Sequence, residues 1–279
     1  MNDFISHKIH RHEPPVSAEK IEKVYEKDDI LVVSKPASIP AHPSGRYRFN
    51  TITEIVKNEY GYDQLANINR LDRLTSGVMI LAASTKAAEA LHKKMRDKQI
   101  SKEYVCKVKG EFPSYQITCS EPIKCVNFKL GLCSVSPDGK ESCTIFNRLA
   151  FDGTFSIIQC IPITGRTHQI RVHLQYLGFP IANDKLYSWD GKGGLNNEQL
   201  ERISNDLLQK LKEGDLEATG PVENENNQMI CYDCEYPLPD PSPSEMCIWL
   251  HAYKYKIDDL TFEVPYPSWA TDIINKCPI

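Results

Sequence analysis

Runs of apolar residues alternate with short polar punctuation along most of this chain, and their period separates strands from helices. Ile30-Leu31-Val32-Val33-Ser34-Lys35 follows the acidic Asp28-Asp29 turn and reads as a buried strand. Pro36, Pro40 and Pro43 then impose an extended loop. Thr51 to Tyr60 carries Ile52, Ile55 and Val56 on one side and meets a stop at Gly61, a helix. Val78 to Ala82 is a short apolar run, a strand. Ser84 suits the cap of a helix bearing Ala87, Ala88, Leu91 and Met95 at helical spacing. Glu103 to Val108 alternates as a strand. Two further strand-like runs lie between Cys143 and Ile163, joined at the hairpin signal Asp152-Gly153. Thr167 is placed to cap a helix with Ile170, Leu174 and Leu177 on its apolar side and Gly178 at its end. Strand character returns from Ile248 to Ile257. Strands outnumber βαβ alternations, so the predicted class is α+β: a mixed, largely antiparallel sheet core with flanking helices and a central cleft.

Residues 188–228 differ in kind. They are rich in Gly, Asn and Glu, with one helical piece around Leu200 to Leu211, and are read as an insertion outside the core. The predicted organisation is an N-terminal extension over 1–27, a catalytic domain over 28–265 containing this insertion, and a C-terminal tail over 266–279.

Charge sharpens the picture. The chain carries a net −4 at pH 7, which by itself speaks against a nucleic-acid partner. The insertion, however, holds nine acidic and four basic residues, a net of −5, so the remainder is close to neutral. Residues 85–110 hold eight Lys/Arg against three acids. A locally basic surface attracts phosphate even on an acidic chain, although Lys93, Lys94, Arg96 and Lys98 also read as an ordinary solvated helix face. No stretch approaches the roughly 20 apolar residues that span a bilayer. The first residues carry neither the apolar run of a secretory signal nor the composition of a transit peptide. A soluble, cytoplasmic, monomeric enzyme is the expectation. The ten cysteines follow no compact framework and read mostly as reduced, small hydrophobes. Cys231 and Cys234 have the spacing of half a zinc site, with Cys247 and His251 as loose completing ligands. A metal-free turn is the preferred reading.

The segment with most chemistry is Asn69-Arg70-Leu71-Asp72-Arg73-Leu74-Thr75-Ser76-Gly77. It sets one carboxylate between two guanidiniums in a polar loop that runs into a strand, where reactive side chains are often presented. Gly77 permits a tight turn before that strand. Taken alone, Asp72 also reads as a surface acid in a local ion pair.

This segment closely resembles the signature loop of RluA-type RNA pseudouridine synthases. Further segments match that family in order: Lys35-Pro36 with Ile39-Pro40-Ala41-His42-Pro43; Lys102-Glu103-Tyr104 leading into Val108-Lys109-Gly110; Gly165-Arg166-Thr167-His168-Gln169-Ile170-Arg171-Val172-His173 followed by Gly178-Phe179-Pro180-Ile181 and Asp184; and Leu250-His251-Ala252. Asn69 stands where many members have His, and Ser38 where many have Gly. Asn69, with the His12-Glu13-Pro14-Pro15-Val16 lead-in, is most similar to the eukaryotic tRNA-modifying branch.

The resemblance implies isomerisation of a uridine in structured RNA, tRNA before ribosomal RNA, with no cofactor. It makes Asp72 the catalytic carboxylate, acting by stabilising charge on the sugar, attacking it, or removing a ribose proton. It makes Arg166 the guanidinium that keeps Asp72 ionised, with a phosphate contact at the following helix N-terminus as the other reading. It packs Tyr104 on the target uracil, where a core tyrosine is the plain alternative. The uridine must leave its stack to be reached. Arg70 suits the vacated space. Arg73, Lys35, Lys93 and Lys94 are candidates for contacts to the RNA backbone. His168 and His173, five apart, lack the spacing of a metal pair and read as structural residues or phosphate contacts. A catalytically idle RNA-binding scaffold is the competing reading.

Overall fold

The runs Ile30–Val33 and Val78–Ala82 are apolar at successive positions, not at alternate ones, because the sheet they enter is covered on both faces. In β2 (Ile30–Lys35) and β4 (Ser76–Ala82), Leu31, Val33, Met79 and Leu81 turn one way. They pack with Ile52 and Val56 of α1 (Ile52–Tyr60). Val32, Val78 and Ile80 turn the other way, onto Ala88 and Leu91 of α2 (Thr85–Arg96). α1 ends where Gly61 adopts a left-handed φ of 74° and its N–H returns to the Lys57 carbonyl. α2 starts on the predicted Ser84 cap, whose Oγ accepts from the Ala87 N–H at 3.3 Å.

The structure, a computed structural model, describes residues 10, 12–127, 131–188, 202–203, 205, 209, 221–223, 229–231 and 241–277. Its main sheet runs in the order β1-β2-β4-β13-β5-β10-β9-β6. Here β1 is Glu22–Lys27, β5 Ile100–Lys109, β6 Ile117–Cys119, β9 Thr144–Phe151, β10 Phe155–Pro162 and β13 Leu250–Ile257. Two short strands join at its flanks, β3 (Ala66–Asn67) on β4 and β14 (Leu260–Glu263) on β13. Every pairing in this sheet is antiparallel except β4 with β13, so the predicted mixed, mainly antiparallel α+β class holds. Asp152 turns the β9–β10 hairpin as expected. Its Oδ1 accepts from Thr154 N at 2.8 Å and Phe155 N at 2.7 Å. A separate ribbon pairs β7 (Ile123–Asn127) with β8 (Leu132–Val135), and another pairs β11 (Pro221–Glu223) with β12 (Met229–Cys231).

On the β5–β10–β9 half, α3 (Gln169–Tyr176) lays Ile170 and Leu174 against Cys106, Val108, Ile158 and Cys160. α4 (Ser268–Ile274) lays Ala270 and Ile273 against Val105, Ala150 and Ile157 on the opposite face.

Three sequence expectations need correction. The unit does not begin at residue 28: β1, assigned to the extension, is the edge strand beside β2. Its Glu-Lys-Val-Tyr-Glu-Lys composition hid it, since an exposed edge strand needs no apolar face. Nor does the unit end at 265, because α4 of the supposed tail fills one face of the core. The cap of α3 is His168, in a left-handed conformation with φ 56°, and not Thr167. The Gln169 side chain organises the preceding turn instead. Its Oε1 accepts from Thr164 Oγ1 and Arg166 N, and its Nε2 donates to Cys143 O and Thr144 Oγ1. Most of the 188–228 insertion lies outside the described residues, and so does the expectation that it stands clear of the core. Among the parts described, Ile203 packs toward Val172 and Tyr187.

Candidate active site

The loop carrying Asp72 is held from several sides, and each hold is a hydrogen bond that apolar periodicity cannot report. Asn69, buried, donates to Val78 O at 3.1 Å and accepts from Ile80 N at 2.7 Å, which locks the loop entry to β4. Lys35 donates to Arg73 O and Pro36 O. Thr75 N closes a turn on Asp72 O at 3.0 Å, and Ile248 N bonds Leu74 O. The loop leaves through Gly77, φ 114°, where β4 meets β13. A Cβ at this position would stand 2.2 Å from the Ala252 carbonyl oxygen. The expected role of Gly77 was a tight turn. Its requirement is the close approach of the parallel partner strand.

Asp72 sits in a cavity of about 970 Å³ between the α2 and α3 halves of the sheet. Its Oδ2 accepts from Arg171 Nη1 at 3.0 Å. The same guanidinium grips Asp184 through two bonds, Nε to Oδ2 at 2.6 Å and Nη2 to Oδ1 at 2.9 Å. Asp184 is 1% exposed and also accepts from Leu186 N. Arg171 is therefore fixed by one carboxylate and presents its remaining edge to the other. Burial pulls the Arg171 guanidinium down, but Asp184 and Asp72 together hold it above its ordinary value. Tyr187 packs beneath it, with the guanidinium carbon 4.9 Å from the ring centre.

His168 completes the surroundings of Asp72, with Nε2 3.6 Å from Oδ2. Its Nδ1 lies 2.8 Å from the Tyr187 hydroxyl, which itself accepts from Cys133 N at 3.0 Å. With its own proton still to give, the Tyr187 hydroxyl can donate to Nδ1, and in that tautomer the His168 Nε2–H faces Asp72. Burial pushes the Asp72 carboxyl up, yet His168, Arg171 and Lys35 outweigh it and the net shift is downward. His168 is lowered, first by burial and then by Arg171, against the pull of Asp72 and Asp184. An ionised Asp72 beside a neutral His168 is the arrangement at neutral pH.

Tyr104 lines the same cavity from β5. Its hydroxyl is 2.5 Å from that of Tyr255, which is buried on β13 and also bonded by the Asn69 side chain. Burial raises both phenols, Tyr104 well above its ordinary value, so they stay protonated.

The structure separates the other predicted residues. Arg70 is exposed at the cavity rim, and Arg73 also lines the cavity, with its guanidinium over Tyr47 at 5.9 Å. Arg166 lines the cavity too, but its Nε donates to Glu141 O at 2.9 Å. The guanidinium on Asp72 belongs to Arg171, five residues further along. One residue into α3 from Ile170, Arg171 faces the loop, whereas Arg166 lies in the exposed turn before the helix. Lys35 is 1% exposed, so the expected contact with RNA backbone is corrected to an internal clamp on the Asp72 loop. Burial brings its ammonium down to about 7, against Asp72 and with Arg73. Lys93 and Lys94 do not line the cavity, and Lys94 pairs with Asp258. Of the basic α2 segment, Arg96 and Lys98 reach it. His173 is fully buried between Thr144 Oγ1 and Glu121 O, the structural reading. Cys234 and the side chain of Cys231 lie outside the described residues. Cys247 and His251 contact Asn183 and Ser76 respectively. No group of three or more metal-ligating side chains occurs among the described residues.

Sequence reasoning missed Arg171, Tyr187 and Tyr255. One signal for Arg171 was present: a guanidinium between Ile170 and Val172 on an apolar helix needs an acid, and Asp184 follows.

Residues 29–176 match the family described as RNA pseudouridylate synthase. The chain belongs to this family. Within the family, the mitochondrial tRNA pseudouridine(32) synthase of Saccharomyces cerevisiae is 42% identical, over 96% of this chain and 63% of its own length. Pseudouridylate synthase RPUSD2 of Homo sapiens is 38% identical, over 99% of this chain and 63% of its own length. RNA pseudouridine synthase 7 of Oryza sativa is 36% identical, over 95% and 73%. The chain thus spans less than two thirds of the length of the first two relatives. The solved structure of human RNA Pseudouridylate Synthase Domain Containing 1 superposes with a TM-score of 0.59 at 22% identity, over 91% of this chain and 86% of that one, which shows the shared fold.

Proposed function

We propose that this chain is an RNA pseudouridine synthase that isomerises a uridine in structured RNA, tRNA before ribosomal RNA. The observation that carries the reading is the Asp72–Arg171 pair at 3.0 Å in a cavity walled by Tyr104. In the reaction the bond from ribose C1′ to N1 of uracil breaks and one from C1′ to C5 forms. The C5 proton leaves and N1 gains one, so no co-reactant is consumed. Asp72 supplies the carboxylate for the sugar step. Arg171, anchored by Asp184, keeps it ionised and aimed. The Tyr104 ring offers a flat face for the uracil, and its protonated hydroxyl lies within reach of a ring atom. The cavity volume suits a nucleotide turned out of its stack, and Arg70 at the rim is placed to fill the gap left behind. Arg73 and Arg166 line the path of the RNA backbone. No helix among the described residues is long and apolar enough to cross a membrane. A cytoplasmic monomer is the proposed working form, read by fractionation and by sedimentation.

The test is incubation of purified protein with labelled tRNA transcripts, wild type against Asp72→Ala, followed by nucleoside analysis. Pseudouridine from the wild type alone is expected. Free uracil would replace the isomerase reading by hydrolysis, and tight binding without product on any RNA would leave an idle scaffold. Mapping pseudouridines in cells that lack the protein then assigns the uridine.

A further inference from the structure

A second cavity of about 440 Å³ adjoins the first and is lined by Lys98, Lys102, Ile163, Lys256 and Asp258, among others. Lys98 and Lys102 line both cavities, so the two lie side by side along these residues. Among the described residues that line the second cavity the acid, Asp258, is already paired with Lys94, and three ammonium groups, Lys98, Lys102 and Lys256, set the sign of the groove.

Lys102 is the unusual member. It lies two residues before Tyr104 on β5, so both side chains leave the same face of the sheet, about 6.6 Å apart along the strand. Its ammonium is tucked under the turn that precedes α3: a Cβ on Gly165 would come within 3.4 Å of Nζ. Among the described residues it makes no hydrogen bond or ion pair. A largely desolvated cation with no internal partner is costly for the fold. It is explained when an anion arrives from outside.

We propose that Lys102 binds a phosphodiester next to the nucleotide held against Tyr104, and that the groove of Lys98, Lys102 and Lys256 carries the RNA backbone away from the cleft. The step from Tyr104 to Lys102 is comparable to the reach from a base to a flanking phosphate. Burial lowers the Lys102 ammonium in the free protein, and an arriving phosphate restores it. Ile163, 43% exposed, gives the groove an apolar wall for a ribose or base. The inference rests on the proposed function for its ligand, but its test reads binding and not product.

The test measures dissociation constants of wild type, Lys102→Gln and Lys102→Arg for one unmodified tRNA transcript between about 50 and about 300 mM KCl. Loss of one phosphate contact lowers the slope of log Kd against log salt by about 0.7 to 1. That loss is expected for Lys102→Gln, with Lys102→Arg keeping the wild-type slope. Methylphosphonate at a phosphate flanking the target uridine should reproduce the loss in the wild type and add nothing in Lys102→Gln. Thermal melting separates a structural role: removing an unpartnered cation leaves the midpoint unchanged or raises it. An unchanged salt slope, or a lowered midpoint with wild-type slope, overturns the proposal. If pseudouridine never forms yet the slope falls as stated, the functional reading fails and the phosphate site stands.

Discussion

Arg171 and Asp72 meet at 3.0 Å although 99 residues separate them, and Asp184 holds the far side of the same guanidinium. One cation thereby joins the loop before β4 to α3 and to the segment that follows it. The pair brings together the two halves of the sheet at the cleft, and activity is expected to depend on its Asp72 side and stability on its buried Asp184 side.

Arg171 should therefore outrank Arg166. Arg171→Lys keeps a charge but loses the planar fork, and the expected fall in the single-turnover rate is about 100-fold or more. Arg166→Lys should cost less than about tenfold. Arg171→Met leaves Asp184 buried and unpaired, with an expected loss of about 3–5 kcal/mol in denaturant unfolding. Equal rate losses for the two lysine variants would contradict the assignment.

Asp72→Asn should fold, melt close to wild type and bind RNA, yet form no pseudouridine. A large drop in melting temperature would instead mark Asp72 as structural. The wild-type pH profile follows from the lowered carboxyl. Activity needs the ionised form, so kcat/KM should hold on the acid side and fall only below the ordinary carboxylate value of about 3.9. An acid limb centred near pH 6 would show a different group in control.

Lys35 offers a stability test with a definite sign. Its folded value, about 7, lies below the unfolded value of about 10.4, so the folded state binds fewer protons between them. The penalty of burying the charge is full below pH 7 and fades as pH rises. The wild type should gain stability relative to Lys35→Met as pH goes from about 7 to about 9. A pH-independent difference between the two proteins would disprove the shift.

Gly77→Ala should be among the most damaging single substitutions. The added carbon would lie 2.2 Å from the Ala252 oxygen, in backbone on both sides, at a φ of 114° that side chains rarely adopt. A loss of more than about 3 kcal/mol is expected, read by urea unfolding. Wild-type stability would mean that β4 and β13 do not approach as described.

Much of this was legible before any coordinates. Apolar run length and caps located β2, β4, α1, α2 and the β9–β10 hairpin, because those features are local and leave a periodic trace. The Asp72 loop stood out through its residue types, and Tyr104 through its neighbours in a matching motif. What periodicity cannot report is the partner across space. The sequence pointed to Arg166 alone, and only the path of α3 over the cleft brought Arg171, five residues on, to Asp72. Lys35 was a candidate for a contact to the RNA backbone on its charge, whereas the loop folded over it turned its ammonium to two carbonyls. β1 and α4 were overlooked because edge strands and short terminal helices owe their form to the surface they pack on. Local order is written residue by residue, but the pairing of charges is a property of which distant segments the packed sheet brings within hydrogen-bond reach.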